Sequence, residues 1–155
     1  MKKVIIWLFI KSIVPKMKVK FTNEESAFEW STDTIYLNLN ENINGFMRHL
    51  KKSHIPQYSS IYNKHLALYD IHGRVYQVLH EIGHYFTLDF IEEDEDEETE
   101  RAICAFIDKE TAENSEAIQD MYFNLEKEWQ ATEWAIDYAN THIRRCMLIT
   151  KLLGG

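Results

Sequence analysis

From residue 73 to residue 88 the apolar side chains Val75, Val78, Leu79, Ile82 and Phe86 recur at intervals of three and four. That spacing gives an α-helix one buried face. A looser version of the period runs through residues 116–151 and predicts one long helix or a broken pair. Residues 99–109 read as a further helix, and Asn42 stands where it would cap a helix through Leu50 to Lys52 before Pro56 interrupts the chain. Elsewhere the pattern alternates. Residues 18–22 read as a short strand, and residues 34–39 place Ile35, Leu37 and Leu39 on one face of a clearer one. Residues 4–10 form an unbroken run of Val, Ile, Trp, Leu and Phe, a composition that favours strands, and are read as a buried strand. Helices therefore predominate over a small sheet, which is an α+β class.

Length refines this to one domain over residues 1–155. The chain is 45% hydrophobic, with five glycines and two prolines, so it has apolar residues for one core and no flexible linker to divide it. The formal net charge of -8 is local in origin. Residues 92–98 with Glu100 supply eight of the 25 acids, and the rest match the 17 Lys and Arg. Adjacent carboxylates repel, so residues 91–100 are expected to be a solvated acidic loop, able at most to steer a basic substrate or hold divalent cations weakly. No basic excess points to direct nucleic-acid binding. Cys104 and Cys146 sit among apolar residues as free thiols, which fits a reducing cytoplasm.

The amino-terminal segment, residues 1–16, changes the picture in one respect. Lys2 and Lys3 before an apolar run have the order of a secretory signal, but the run is seven residues long and no small-x-small cleavage site follows. It is too short to span a bilayer as a helix. The alternative to a buried strand is an interfacial membrane anchor, and Met17 offers a second plausible start that would leave the segment out.

Candidate chemistry lies on the best-defined helix, in His80-Glu81-Ile82-Gly83-His84. Histidines four apart on a helix are about 40° apart around the axis and one turn apart along it, so both can reach one metal ion. Glu81 projects beside them, where a carboxylate can take a proton from water and pass it to a leaving group. Zinc is the ion this spacing suggests, and a hydrolytic zinc site needs a third protein ligand. Glu128 shares a helical face with Ala131 and Ala135, whose small side chains would allow close approach to the His80/His84 helix; Gly83 is the kind of residue such an approach favours. Glu133 is the rival, about 140° away around the same helix, with Glu110, Glu113 and His142 as further candidates. Tyr85, Tyr138, His142 and His72 are equal candidates to donate a hydrogen bond to a developing oxyanion.

His80-Glu81-Ile82-Gly83-His84-Tyr85-Phe86, followed by Glu128-x-Gln130-Ala131-x-x-Trp134-Ala135, resembles the two signatures of the ImmA/IrrE-type metallopeptidases, within residues 75–90 and 126–138. The resemblance implies a minimal, gluzincin-like zincin fold with a small sheet packed on the active-site helix. It implies His80, His84 and Glu128 as zinc ligands, Glu81 as general base, and a phage or mobile-element setting in which the substrate is a partner protein such as a DNA-binding repressor. In such folds an edge strand beside the active-site helix receives extended peptide, and residues 34–40 are the candidate edge. A non-catalytic interaction protein on the same fold is the second expectation. It rests on the acidic insertion between the signatures and on Ile136-Asp137-Tyr138-Ala139-Asn140 where the family has an apolar L-L-x-P ending.

Overall fold

The computed structural model describes residues 1–51, 71–87, 101, 103, 115–123 and 125–154. Among these the elements are α1 (Lys2–Ile13), β1 (Lys18–Phe21), β2 (Ala27–Glu29), β3 (Thr34–Leu37), α2 (Asn44–Lys51), α3 (Gly73–Thr87), α4 (Ser115–Phe123), α5 (Glu126–Thr141) and α6 (Ile143–Leu153). The α+β class expected from the pattern holds: six helices accompany one three-stranded mixed sheet. The acidic run, the expected helix over residues 99–109, Pro56, Cys104, Glu110 and Glu113 lie outside the described residues, apart from Arg101 and Ile103.

α3 and α5 form the central pair. Val75, Val78, Leu79 and Ile82 of α3 are buried with Ala135, Ile136 and Ala139 of α5 in one core, joined by Ile35 and Leu37 of β3. The alternating residues of β3 thus point where the pattern indicated. At the entry to α2, the Asn42 side chain accepts a hydrogen bond from the Asn44 amide at 3.0 Å, which makes a turn just ahead of the helix, while the first helical carbonyl acceptor is that of Ile43 and not of Asn42. A smaller cluster joins Ile103, Ile118 and Leu125.

Three expectations need correction. Residues 4–10 belong to a helix, not a strand: α1 buries Ile6, Phe9 and Ile10 and leaves Val4, Trp7 and Leu8 outside. Seven consecutive apolar residues satisfy both periods, so the choice depends on what is available to bury them. Here the partners are two helices, α6 and α3, which take a helical stripe. Pro15 then restricts Val14 to an extended conformation and ends α1. Because α1 contributes to the main core, a chain begun at Met17 would lack part of it.

The second correction concerns the edge. The strand order is β1-β3-β2, with β3 parallel to β1 (Lys18↔Thr34 to Phe21↔Leu37) and antiparallel to β2 (Ala27↔Tyr36, Glu29↔Thr34). β3 is therefore the central strand, with both of its edges used. The outer strand near α3 is β2, a three-residue strand whose alternation is too short to detect, and Phe28 packs edge-on to Tyr85 with ring centroids 6.0 Å apart. The third is the carboxy-terminal stretch, which forms three helices and not one or two. Leu125 (φ -55, ψ 139) separates α4 from α5, and His142 (φ -118, ψ 35) separates α5 from α6. α6 ends in a left-handed Gly154 (φ 96), whose amide returns to the carbonyls of Thr150 and Lys151, a conformation glycine adopts without a Cβ penalty.

Candidate metal centre

The helix phase of α3 turns His80 and Gly83 toward α5, and the phase of α5 turns Glu128, Ala131, Thr132 and Ala135 toward α3; all of these, and Glu81 beside His80, are buried. Gly83 sets the spacing. A Cβ built on it would overlap the carbonyl oxygen of Ala131 and lie 2.9 Å from the Ala131 Cα, so the two backbones are in direct contact where the small residues meet. Beside that contact, with His80 three residues before Gly83, His84 one after it and Glu128 three before Ala131, the ligand candidates converge. Glu128 Oε2 lies 2.9 Å from His80 Nε2 and 3.6 Å from His84 Nε2, and one donor atom from each of the three residues lies within 4.8 Å of the others. Donors bound at about 2.0–2.1 Å to a tetrahedral ion stand roughly 3.3 Å apart, and the two Glu128 separations fall on either side of that value, with the remaining one inside 4.8 Å. Two imidazoles and one carboxylate, with the three side chains nearly buried, form a donor set suited to a divalent transition metal.

The surroundings hold these groups in place. His80 Nδ1 is 3.0 Å from Thr132 Oγ1, one turn after Glu128 on the same face of α5. With Nδ1–H donating to that hydroxyl, Nε2 is the nitrogen left to bind a metal, which is how a partner outside the ligand set fixes a tautomer. Phe46 of α2 lies edge-on to the His80 ring at 5.3 Å, and the two imidazoles are themselves edge-to-face at 4.7 Å. Thr132 and Phe46 were not singled out from the sequence. Thr132 carries a legible signal, being four residues from Glu128, whereas Phe46 meets His80 only through the tertiary fold.

Electrostatics follow from burial. Burial alone would raise the Glu128 carboxyl, but hydrogen bonds and charge from His80 and His84 outweigh it and hold the group well below the usual carboxylate range. For His84, burial works downward, and the Glu128 hydrogen bond with the charges of Glu128 and Glu81 wins, raising it. Glu81 behaves differently. Burial pushes its carboxyl up, Glu128 and Glu41 add to this, and the two histidines only partly oppose it. Among the described residues it makes no hydrogen bond, so both oxygens remain able to accept one. A polar brace secures the preceding turn: Gln77 donates to Glu41 Oε2 at 2.6 Å and to Ser26 Oγ at 2.9 Å, while Arg74 donates to Gln77 Oε1 at 2.8 Å and to the Glu41 carbonyl. This ties the β2 entry and the segment after β3 to α3 one turn before Glu81.

The other candidates are elsewhere. Glu133 lines an open surface groove with Thr87, Trp129, Gln130, Trp134 and Asp137, where partial burial and the Asp137 charge raise its carboxyl. His142 is exposed and stacks on Tyr138 at 4.2 Å, and the Tyr138 hydroxyl accepts from Arg145 at 3.0 Å, some 15 Å along α5 from Glu128. His72 precedes α3, about 12 Å along the axis from His80, and accepts from the Arg74 amide. Tyr85 adjoins His84 and packs on Phe28. Replacing Glu128 with Ala is therefore expected to weaken metal binding by more than about 100-fold, beyond the 10–100-fold typical of losing a partner outside the ligand set. Glu133→Ala should leave it within a factor of about two. Metal affinity measured by chelator competition distinguishes them, and equal losses would mean that the phase of α5 has been misassigned.

Comparison with protein-family models, curated proteins and solved structures finds no match to this chain. What distinguishes the chain is the site itself: a helix-borne His80/His84/Glu128 group within metal-binding distance, with the buried carboxylate of Glu81 beside it.

Proposed function

We propose that this chain is a zinc-dependent metallopeptidase with a minimal zincin-like fold, in which His80, His84 and Glu128 hold the ion and Glu81 is the general base. The observation that carries the reading is the convergence of the three donor atoms from two helices whose residues are 48 apart in sequence, with Glu81 buried next to them. Zinc held there supplies a lowered water pKa and polarisation of the scissile carbonyl. Glu81 accepts the proton of the attacking water and delivers it to the leaving amine, and its raised affinity for protons favours the first transfer. Thr132 keeps the His80 ring oriented. The outer edge of β2, beside α3, is the strand to which an extended substrate would add. By the resemblance to ImmA/IrrE-type enzymes, the substrate is a partner protein, with a DNA-binding regulator the first candidate.

Purified protein is expected to contain about one zinc per chain, and His80→Ala and His84→Ala to lose it, because each removes one of three protein ligands. Elemental analysis checks this, and zinc at the wild-type level in both variants would reject the site. Cleavage of a co-expressed regulator is the corresponding test of activity. A biological effect on that regulator without any cleavage would select the non-catalytic interaction protein.

A further inference from the structure

The charge of this chain is unevenly placed. Residues 1–22 carry six lysines and no acid, and residues 143–155 carry two arginines, one lysine and no acid, in a chain of formal net charge -8. The fold brings these two segments together, because α1 packs on α6 and both pack on α3. Arg145 of α6 places its guanidinium 5.9 Å from the centre of the Phe9 ring of α1. Their inward faces are Ile6, Phe9 and Ile10 of α1 and Cys146, Thr150 and Leu153 of α6. What remains outside combines apolar and basic residues on each helix. α1 presents Val4, Trp7, Leu8 and Lys11 at successive helical spacings, and α6 presents Arg144, Leu148, Lys151 and Leu152. Leu8, Leu148 and Leu152 are 55%, 56% and 50% exposed, too much for residues that contribute to a core. The Lys11 ammonium folds back over the Trp7 ring at 5.8 Å, which leaves a cation at the rim of an aromatic and aliphatic surface.

We propose that the outer faces of α1 and α6 form one docking surface for an anionic phospholipid bilayer. Val4, Trp7, Leu8, Leu148 and Leu152 enter the boundary between headgroups and acyl chains, and the lysines and arginines around them meet the lipid phosphates. Charge complementarity chooses this occupant. A second copy joined face to face would oppose cation to cation, and a nucleic acid would pair the cations but leave the leucines and Trp7 in water. A membrane interface satisfies both, since stable peripheral binding needs an apolar insertion together with a basic patch, and Trp is favoured at headgroup depth. Among the described residues no helix is long and apolar enough to cross a bilayer, so the attachment is to one leaflet. The inference is independent of the metal site.

The test is co-sedimentation of the purified full chain with vesicles of phosphatidylcholine alone and of phosphatidylcholine mixed with phosphatidylglycerol. Binding is expected on the anionic vesicles, at least about tenfold weaker on the neutral ones, and reduced by salt. Each cation close to an anionic leaflet is worth about a fivefold gain in partition, so the combined Lys11→Gln, Lys16→Gln, Arg144→Gln, Lys151→Gln variant should lose roughly 600-fold. Leu8→Gln with Leu148→Gln should lose binding to both kinds of vesicle. All of these positions are solvent-accessible, and thermal unfolding checks that both variants keep the fold. Equal binding to neutral and anionic vesicles, wild-type binding by both variants, or no binding by a wild type that self-associates in solution would each overturn the proposal; the last would assign the face to another copy of the chain.

Discussion

Glu81→Gln is expected to retain zinc at the wild-type level and to lower hydrolysis by at least about 10²–10⁴-fold, the contribution of a positioned general base. Glutamine keeps the size and shape of the side chain but cannot take a proton from water. Stability should not fall. Burial disfavours the charged carboxylate at position 81, so a neutral amide there removes a desolvation cost and loses no hydrogen bond to a described residue. The comparison requires three readings on one preparation: metal content, melting temperature and cleavage rate of a protein substrate. Unchanged cleavage would remove Glu81 from the mechanism, and loss of zinc with cleavage would make it a structural neighbour of the ligands.

Gly83→Ala should be damaging although it improves the intrinsic helix propensity of α3. That propensity gain is about 1 kcal/mol, and in an open helix it would dominate. Here the added methyl meets the backbone of Ala131, which no rotamer change can move away, and overpacking of this kind costs about 1–3 kcal/mol or more. The strain is relieved by moving α5 away from α3, which carries Glu128 away from His80 and His84. A lower melting temperature is therefore expected together with metal affinity weakened by at least about tenfold, since the 2.9 Å and 3.6 Å separations cannot both survive the shift. A rise in stability would show that the helices are farther apart than described.

The central helix pair could be read from the sequence because its information is local. Two histidines four apart, a glutamate with alanines three and seven residues on, and a glycine one residue before His84 specify the phase of two helices, and the phase determines which side chains meet between them. Other features depended on relations that no short window contains. The run 4–10 satisfies helix and strand periods alike until α6 is known to lie beside it, and the breaks at Leu125 and His142 are backbone conformations without a proline or glycine to mark them. Strand order was hidden for a similar reason. Alternation shows which face of β3 is buried, but says nothing about which edges are paired, and β2 is too short to show any alternation. The brace of Arg74, Gln77, Glu41 and Ser26 joins residues up to 51 positions apart, and none of these side chains is unusual in isolation.

The pairing of α1 with α6 also bears on how the chain is made. Ile6, Phe9 and Ile10 are translated about 140 residues before Cys146 and Leu153, an interval on the order of ten seconds at ~5–20 residues per second. Throughout that interval a strand-prone apolar run has lost the ribosome's shelter and has not yet met its last partner. Synthesis thus makes a segment ambiguous in conformation wait for the contact that resolves it, and in the nascent protein aggregation competes with folding there.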